Sequence, residues 1–188
     1  MKNSTEINIS DLYNDGEFRL CQVNGPNVKS NRITDSNQAV SILMFDLTSS
    51  GKINNLYLIE NNNYLDQSKQ VSCLIENVDL NQDDDEYDTF KRCISKDLAI
   101  KDLKNLDSCY YLGKVNHSIP FHKVYHCYAL CLNDYIKSPN GFELDLPKNE
   151  LEANGFSIKK MKFSRAIKGE CQDSLVLACC SLLLSYIS

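Results

Sequence analysis

The sequence lacks a Cys-x-x-Cys pair, although nine cysteines are spread over its 188 residues. Zinc ligands usually come as such close pairs, so this absence argues against a structural zinc site. The cysteines lie at positions 21, 73, 93, 109, 127, 131, 171, 179 and 180, and their odd number does not suit complete disulfide pairing. The pattern predicts reduced, mostly buried thiols in a reducing compartment.

Three other absences limit where the protein works and what it binds. No apolar leader opens the chain, so we expect a protein that is not secreted through a signal peptide. The apolar stretch "LVLACCSLLLSYI" has 13 residues, whereas a membrane-spanning helix needs about 18 to 20, so we expect no membrane partner. The net charge is -5 and no basic stripe is evident, which argues against nucleic acid as a partner.

The composition fits one globular domain preceded by a polar extension. Hydrophobic residues make up 43% of the chain and charged residues 24%, which is enough apolar material for a core. Residues 1–37 are rich in Asn and Ser and contain the turn signal Asn24-Gly25-Pro26, so we predict a polar N-terminal arm with at most one short strand near Phe18 to Val23. Residues 38–188 are predicted to form the domain.

Apolar runs of strand length recur through the domain. The run "AVSILMFDL" is followed by a turn at Gly51 and by "NLYLIE", which together predict a hairpin. Further strands are predicted in "VSCLIENVDL", "SCYYLGKVN", "KVYHCYALCL" and "GFSIKKMKFSRAIKG".

Two segments have the pattern of helices. From about Asp85 to Leu98 apolar residues recur at helical spacing, after acidic residues that complement the positive end of a helix. A second helix is predicted to begin near Gln172-Asp173-Ser174 and to run through the C-terminal apolar stretch as a buried core helix.

The order of these elements and the first helix resemble the Nudix family. Its box is written G-x5-E-x7-R-E-U-x-E-E-x-G-U, where U is aliphatic. If the arginine of the box is Arg92, the aliphatic positions fall on Ile94 and Ile100 and the isolated glutamate falls on Asp84. The resemblance covers about residues 38–187 and implies an α/β fold in which a mixed sheet is sandwiched between helices.

The same alignment replaces most of the catalytic chemistry of the family. Its three helix glutamates fall on Cys93, Lys96 and Asp97, and its two glycines fall on Val78 and Ala99. Mg²⁺ favours hard oxygen ligands, which a thiol and an ammonium group do not provide. We therefore predict no catalytic residue, no cofactor and a degenerate box.

Two enzymatic or ligand-binding alternatives stay open. An active hydrolase of a nucleoside diphosphate derivative would use Mg²⁺ or Mn²⁺ held by residual ligands, above all Asp84 and Asp97. Asp85 and a carboxylate from elsewhere, such as Glu143 or Glu170, would complete its site. A nucleotide sensor that binds without hydrolysis is the third possibility.

Other motifs carry less chemistry. His122 and His126 have the spacing of a metal-binding helix pair, but they lie in a predicted strand, where the two side chains would stand about 13 Å apart. Ser174 and Cys171 have no evident base partner, so a nucleophilic catalytic site is not expected.

Tyrosines in the later strands are candidates for an interface. Tyr is amphipathic and frequent at protein interfaces, although in strands it is as often core. With the polar arm, these residues favour a structural or binding module in a larger assembly, with protein partners or self-assembly. The Asn-, Asp-, Lys- and Ile-rich composition suggests an AT-rich genome, and we take a bacteriophage virion as a candidate setting beside the cytoplasm. The interface candidates are Tyr110, Tyr111, Tyr125 and Tyr128.

Overall fold

The computed structural model describes residues 8–14, 19–25, 28–34, 38–62, 69–79, 85–101, 108–117, 123–136 and 157–187. Its first element is a separate three-stranded antiparallel sheet in the order β1-β2-β3. The strands are β1 (Asn8–Asn14), β2 (Arg19–Gly25) and β3 (Val28–Thr34).

This small sheet corrects the prediction of at most one strand in the arm. The segments "NISDLYN" and "VKSNRIT" are polar, so they lack the continuous apolar runs by which the later strands were found. Backbone pairing between neighbours, such as Val23 with Ser30, holds them together instead. The division of the chain at residues 37 and 38 stays a prediction.

The main sheet has seven strands in the order β10-β5-β4-β9-β8, with β6 paired to β5 and β7 paired to β4. Strands β4 and β9 are parallel and the other neighbours are antiparallel. The strands are β4 (Gln38–Leu47), β5 (Ile53–Asn62), β6 (Lys69–Ser72), β7 (Leu74–Asn77), β8 (Cys109–His117), β9 (Lys123–Cys131) and β10 (Ser157–Lys162).

Two helices cover the two faces of this sheet. Helix α1 is Glu86–Asp97 and helix α2 is Ser174–Ile187. A 3₁₀ turn, Asn133–Tyr135, follows β9, and a helical turn, Phe163–Arg165, continues as a π-turn, Ala166–Glu170, before α2. The predicted α/β architecture is therefore confirmed. In the part of the chain that is described, no helix has the length and apolar character needed to cross a membrane.

The sequence of strand β4 is continuously apolar because both of its faces are buried. Val40, Ile42 and Met44 belong to the core under α1, whereas Leu43 and Phe45 belong to the core under α2. All five side chains are at most 1% exposed. A strand buried on both faces loses the alternation of apolar and polar residues that marks a half-buried strand.

The predicted strand "VSCLIENVDL" is two strands rather than one. Strand β6 pairs with β5, and after the buried residue Cys73 the chain crosses to pair with β4 as β7. The apolar pattern runs through this change of partner without a break, so the sequence alone does not reveal it. The crossing matters for function because it brings Glu76 of β7 beside α1.

The thiols are concentrated in the core under α2. The eight cysteines from Cys73 onward are free, and all of them except Cys109 are buried. The Cys179 sulfur lies 3.9 Å from the Ser41 hydroxyl, and Cys73 and Cys127 belong to the same core. Burial raises the pKa of Cys180 to about 12 and that of Cys109 to about 11, so both thiols are neutral at physiological pH. The predicted burial of most thiols is confirmed for these eight residues, while their reduced state stays a prediction.

A buried carboxylate joins β4 to β5 on the face covered by α1. Asp46 is 2% exposed and accepts hydrogen bonds from the Asn55 backbone at 2.9 Å, from the Asn55 amide at 2.8 Å and from the Tyr57 hydroxyl at 2.8 Å. Burial, followed by the hydrogen bond to Asp46, raises the pKa of Tyr57, so its hydroxyl remains a donor. These bonds compensate for the desolvation of the carboxylate.

Removal of this carboxylate should destabilise the fold strongly. We expect Asp46→Ala to lower the free energy of unfolding by about 2 to 4 kcal/mol, because three buried donors lose their acceptor. Urea denaturation followed by circular dichroism measures the change. The exposed residue Asp134 provides a control, since Asp134→Ala should cost less than about 1 kcal/mol. Equal losses in the two variants would contradict the stabilising role of Asp46.

Candidate functional site: the box helix

Helix α1, which carries the box positions, starts at a capping carboxylate. The Asp85 side chain accepts hydrogen bonds from the backbone N–H groups of Tyr87 and Asp88, both at 2.9 Å. An Asp at this position satisfies two donors that have no partner inside the helix. Asp85 therefore has a structural task, whereas Asp84, the isolated box position, lies outside the described residues.

Arg92 connects α1 to β7. Its guanidinium donates to Glu76 Oε1 at 2.6 Å and to the Asn77 carbonyl oxygen at 3.2 Å. Asp88, in the first turn of the same helix, forms an ion pair with Lys91. The arginine thus braces the helix against the sheet.

Cys93 and Asp97 bond to each other one helical turn apart. The Cys93 thiol is fully buried and donates to Asp97 Oδ2 at 3.4 Å, and Asp97 is 7% exposed. Burial, and then the negative charge of Asp97, raises the pKa of Cys93 far above its ordinary value. The thiol therefore stays neutral and occupies one oxygen of the only carboxylate that the alignment retains on this helix. Lys96, the third position, is exposed.

The residues at the two glycine positions of the box, Val78 and Ala99, differ in their local structure. Val78 is buried, at 9% exposure, and belongs to the core under α1. Ala99 has a φ of 54°, in the left-handed region that favours glycine. There the Ile94 carbonyl oxygen accepts from the N–H groups of both Leu98 and Ile100. The backbone turn that a glycine would favour is thus present, although the glycine is not.

Restoring this glycine should stabilise the protein. We expect Ala99→Gly to raise the free energy of unfolding by about 0.5 to 1 kcal/mol, because relief of left-handed strain outweighs the added entropy of the unfolded chain. Thermal and urea unfolding measure the change. In Ala178→Gly, within α2, the same substitution should destabilise by about 1 kcal/mol. A loss of stability in both variants would contradict strain at Ala99.

The potential metal ligands among the described residues do not fit the Mg²⁺ site that the resemblance implies. Within the nine described ranges, no group of three or more His, Cys, Asp or Glu side chains is arranged to hold a metal ion. Asp97 is bonded to a thiol, and Glu170 is paired with Arg165 in the turn before α2. Glu143, the other carboxylate considered, lies outside the described residues.

His126 is buried between β4 and α1. Its Nε2 lies 3.0 Å from Gln38 Oε1, and its Nδ1 lies 3.2 Å from Glu86 Oε1 without the geometry of a hydrogen bond. The side chain is 2% exposed. Burial lowers the pKa of His126 from its ordinary value, and Lys114 lowers it further, while Glu86 opposes both effects. His122, its proposed metal-binding partner, lies outside the described residues.

Stability should therefore decrease in acid through His126. A histidine with a depressed pKa in the folded state binds fewer protons than in the unfolded state below about pH 6.5. The stability it contributes is present above that pH and is lost as pH falls through the folded-state pKa. We expect the free energy of unfolding to fall less steeply with decreasing pH in His126→Gln than in the wild type. Urea titrations at several pH values measure both slopes, and identical slopes would contradict this account.

The four tyrosines proposed for an interface do not share one surface. Tyr128 is 5% exposed, so it does not offer the surface predicted for it, and Tyr111 beside it is 43% exposed. Tyr110 packs on the face covered by α2, with its ring 5.3 Å from that of Tyr186, and Tyr125 is half-buried on the same face. The side chains alternate across the strands, which separates neighbouring tyrosines.

Tyr128 instead forms the centre of an aromatic stack that also includes Tyr87, Phe90 and Tyr111. Its ring centroid lies 4.7 Å from Phe90, 5.1 Å from Tyr111 and 6.4 Å from Tyr87. Tyr87 is 40% exposed, so the stack reaches solvent through Tyr87 and Tyr111. Sequence reasoning missed Tyr87, although its place in the first turn of an acidic helix was a signal of partial exposure.

Among the comparisons with known proteins, only the search of solved structures found matches. No family profile and no curated protein matches the chain. The crystal structure of an ADP compounds hydrolase superposes with a TM-score of 0.59 at 10% identity, covering 97% of this chain and 93% of that one. The chain has a Nudix-like fold. A C. elegans Ap4A hydrolase binary complex matches at a TM-score of 0.43 and 16% identity, covering 80% of this chain and 96% of that one.

The likeness to the ADP compounds hydrolase confirms the family resemblance proposed from the sequence. It also confirms the predicted mixed sheet between helices. At 10% identity it shows the fold alone. The roles of individual box residues therefore rest on the contacts described above.

Proposed function

We propose that this chain is a Nudix-fold binding module that does not hydrolyse nucleoside diphosphate derivatives through its box helix. The observation that carries the proposal is the buried hydrogen bond from the Cys93 thiol to Asp97, at 3.4 Å. It engages the one carboxylate that the alignment retains on the helix with a neutral thiol. A metal ion at Asp97 Oδ2 would have to displace that bond.

The charge of Lys96 also argues against a metal ion at this helix. Lys96 replaces a carboxylate with a cation, and at about 4 Å a bound metal ion would be repelled by roughly 1 to 4 kcal/mol per unit charge at dielectric constants between those of water and of a protein surface. Hydrolysis in this fold depends on a metal ion that neutralises phosphate charge and activates water. Of the three aligned glutamate positions on this helix, only Asp97 has a carboxylate, and one of its oxygens accepts from the Cys93 thiol.

The alternative of an active hydrolase needs carboxylates that have other tasks. Asp85 caps α1 and Glu170 is paired with Arg165. That hydrolase would still have Asp84 and Glu143, which makes it the alternative that an assay must exclude. A nucleotide sensor would share the absence of turnover and differ by saturable binding of a nucleotide.

As partner we propose another protein chain or a second copy of this one. The exposed rings of Tyr87 and Tyr111 support this choice, because partly exposed tyrosines are favoured at protein interfaces. The setting we propose is a larger assembly such as a bacteriophage virion. Mass spectrometry of assembled particles tests that setting directly.

The enzymatic alternative is tested by turnover. We expect purified wild-type protein to release no phosphate or nucleotide above background from a panel of nucleoside diphosphate derivatives, ADP compounds included, in Mg²⁺ or Mn²⁺. Asp97→Asn should give the same background, because the carboxylate does not hold a catalytic metal. An active Nudix hydrolase, assayed in parallel, shows that the panel is sufficient.

Metal-dependent turnover that is lost in Asp97→Asn would overturn the proposal. A complementary measurement is the paramagnetic resonance signal of free Mn²⁺, which should not decrease saturably on addition of the protein. Nucleotide binding without turnover, observed by calorimetry, would replace the assembly role with that of a sensor.

A further inference from the structure

Among the buried side-chain nitrogen and oxygen atoms in the described part of the chain, one has no hydrogen-bond partner. It is Nδ1 of His126 in β9, whose side chain is 2% exposed. Buried polar atoms are nearly always paired, so an unpaired one calls for an explanation in its surroundings. The sequence analysis considered this histidine only together with His122, whereas the structure places it beside helix α1.

The other ring nitrogen of His126 determines where the hydrogen of the neutral ring lies. Nε2 is 3.0 Å from Oε1 of Gln38, the first residue of β4. An amide oxygen only accepts hydrogen bonds, so Nε2 is the donor and Nδ1 keeps its lone pair. A histidine that ligates a metal ion usually has this arrangement, in which the remote nitrogen donates to an oxygen.

The surroundings of His126 also keep its ring neutral. Burial lowers the pKa of His126 from its ordinary value, Lys114 on β8 lowers it further, and Glu86 opposes both effects. A neutral ring with its hydrogen on Nε2 has none on Nδ1 that Glu86 could accept. The imidazole nitrogen and the carboxylate therefore face each other as two acceptors, and neutral imidazole is the form that binds metal ions.

The position of the Glu86 carboxylate fits a shared ion better than a hydrogen bond. Glu86 Oε1 lies 3.2 Å from Nδ1 but makes no hydrogen bond, because the oxygen lies to one side of the direction of the nitrogen lone pair. An ion on that direction needs its second ligand to one side. With metal–ligand bonds of about 2.0 to 2.1 Å, two ligands of one ion stand about 2.9 Å apart at a right angle and about 3.3 Å apart at a tetrahedral angle. The observed separation lies between these values.

The two ligand types select a class of ion. An imidazole nitrogen with a carboxylate oxygen suits Zn²⁺, Co²⁺, Ni²⁺ and Cu²⁺, whereas Mg²⁺ prefers oxygen ligands. Two side chains are fewer than the three or four of a catalytic or structural zinc site, so water would complete the coordination. The Glu86 side chain is 35% exposed, which leaves this side open to solvent. Lys114 is exposed on β8 and its charge opposes a cation, so we expect weaker binding than at a closed zinc centre.

We propose that His126 Nδ1 and Glu86 Oε1 together bind a divalent transition-metal ion of the Zn²⁺ class. The ion would join the first residue of α1 to β9 in the middle of the sheet. This site is separate from the aligned glutamate positions on the helix, since Cys93 lies about 10 Å further along its axis. Mn²⁺ stands lowest in affinity for such ligands, so this site is compatible with the absence of Mn²⁺ binding proposed above.

The experiment is a titration of the full-length, reduced protein with Co²⁺, followed by visible absorption and then by displacement with Zn²⁺. We expect saturable d–d bands from nitrogen and oxygen ligands, without the near-ultraviolet charge-transfer band of a thiolate. Zn²⁺ should remove these bands. Binding should also weaken as pH falls, because protons compete with the ion for Nδ1.

Matched variants assign the ligands. Glu86→Gln and His126→Gln should each weaken Co²⁺ binding more than about tenfold, a loss that follows even from removal of an outer-shell partner. Asp88→Asn removes the same charge from the same helical turn, but Asp88 pairs with Lys91, so it should weaken binding less than about fivefold. Circular dichroism shows whether each variant is folded, and Glu86→Gln alone suffices for the test if His126→Gln is not.

Four outcomes would overturn the proposal. They are no saturable binding of Co²⁺ or Zn²⁺ to the wild type, unchanged binding in the ligand variants, equal weakening in Asp88→Asn, and a thiolate band, which would assign the ion to cysteines. Hydrolysis of nucleoside diphosphate derivatives, measured on the same samples, tests the proposed function separately. Turnover that is lost in Asp97→Asn would overturn that function and leave the site at His126 intact.

Discussion

The structure depends on the burial of strands β4 and β9 on both of their faces. One set of side chains packs against α1 and the alternate set packs against α2. At about 25 cal/mol per Å² of buried apolar surface, such a doubly covered pair supplies much of the folding free energy. Everything that defines the candidate site, including the angle of α1 and the position of its capped start, is set by the way this helix lies on the inner strands. The position of the site therefore depends on the packing of the core.

The same packing accounts for two features that hold α1 in place. Arg92 still braces the helix against β7, and the backbone at Ala99 still makes the left-handed turn. Neither feature needs a metal ion, because both satisfy hydrogen bonds of the fold itself. Cys93 is likewise held by the fold, since its buried thiol donates to Asp97 within the same helix.

The sequence predicted the elements of the main sheet, both helices and the family resemblance because long apolar runs and helical spacing are local signals. The sequence-based prediction failed where the structure depends on which element packs beside a given segment. The split at Cys73 follows from which strand lies beside the chain, and Tyr128 is buried because α1 lies over it. The cap at Asp85 was foreseeable from residue type, and helical spacing places Asp97 beside Cys93. That both side chains are buried was not foreseeable, because it depends on which helix face packs on the sheet.

The concentration of thiols under α2 has a consequence for how the protein survives unfolding. Six buried cysteines are shielded from oxidants only while this helix stays on the sheet. When the domain opens, they become accessible together, and mispaired disulfides then compete with refolding. Unfolding in air would become irreversible, while in a reducing milieu the same chain returns to its native state. The fold thus protects its thiols from oxidation by burying them. Whether denaturation is reversible then depends on the redox conditions.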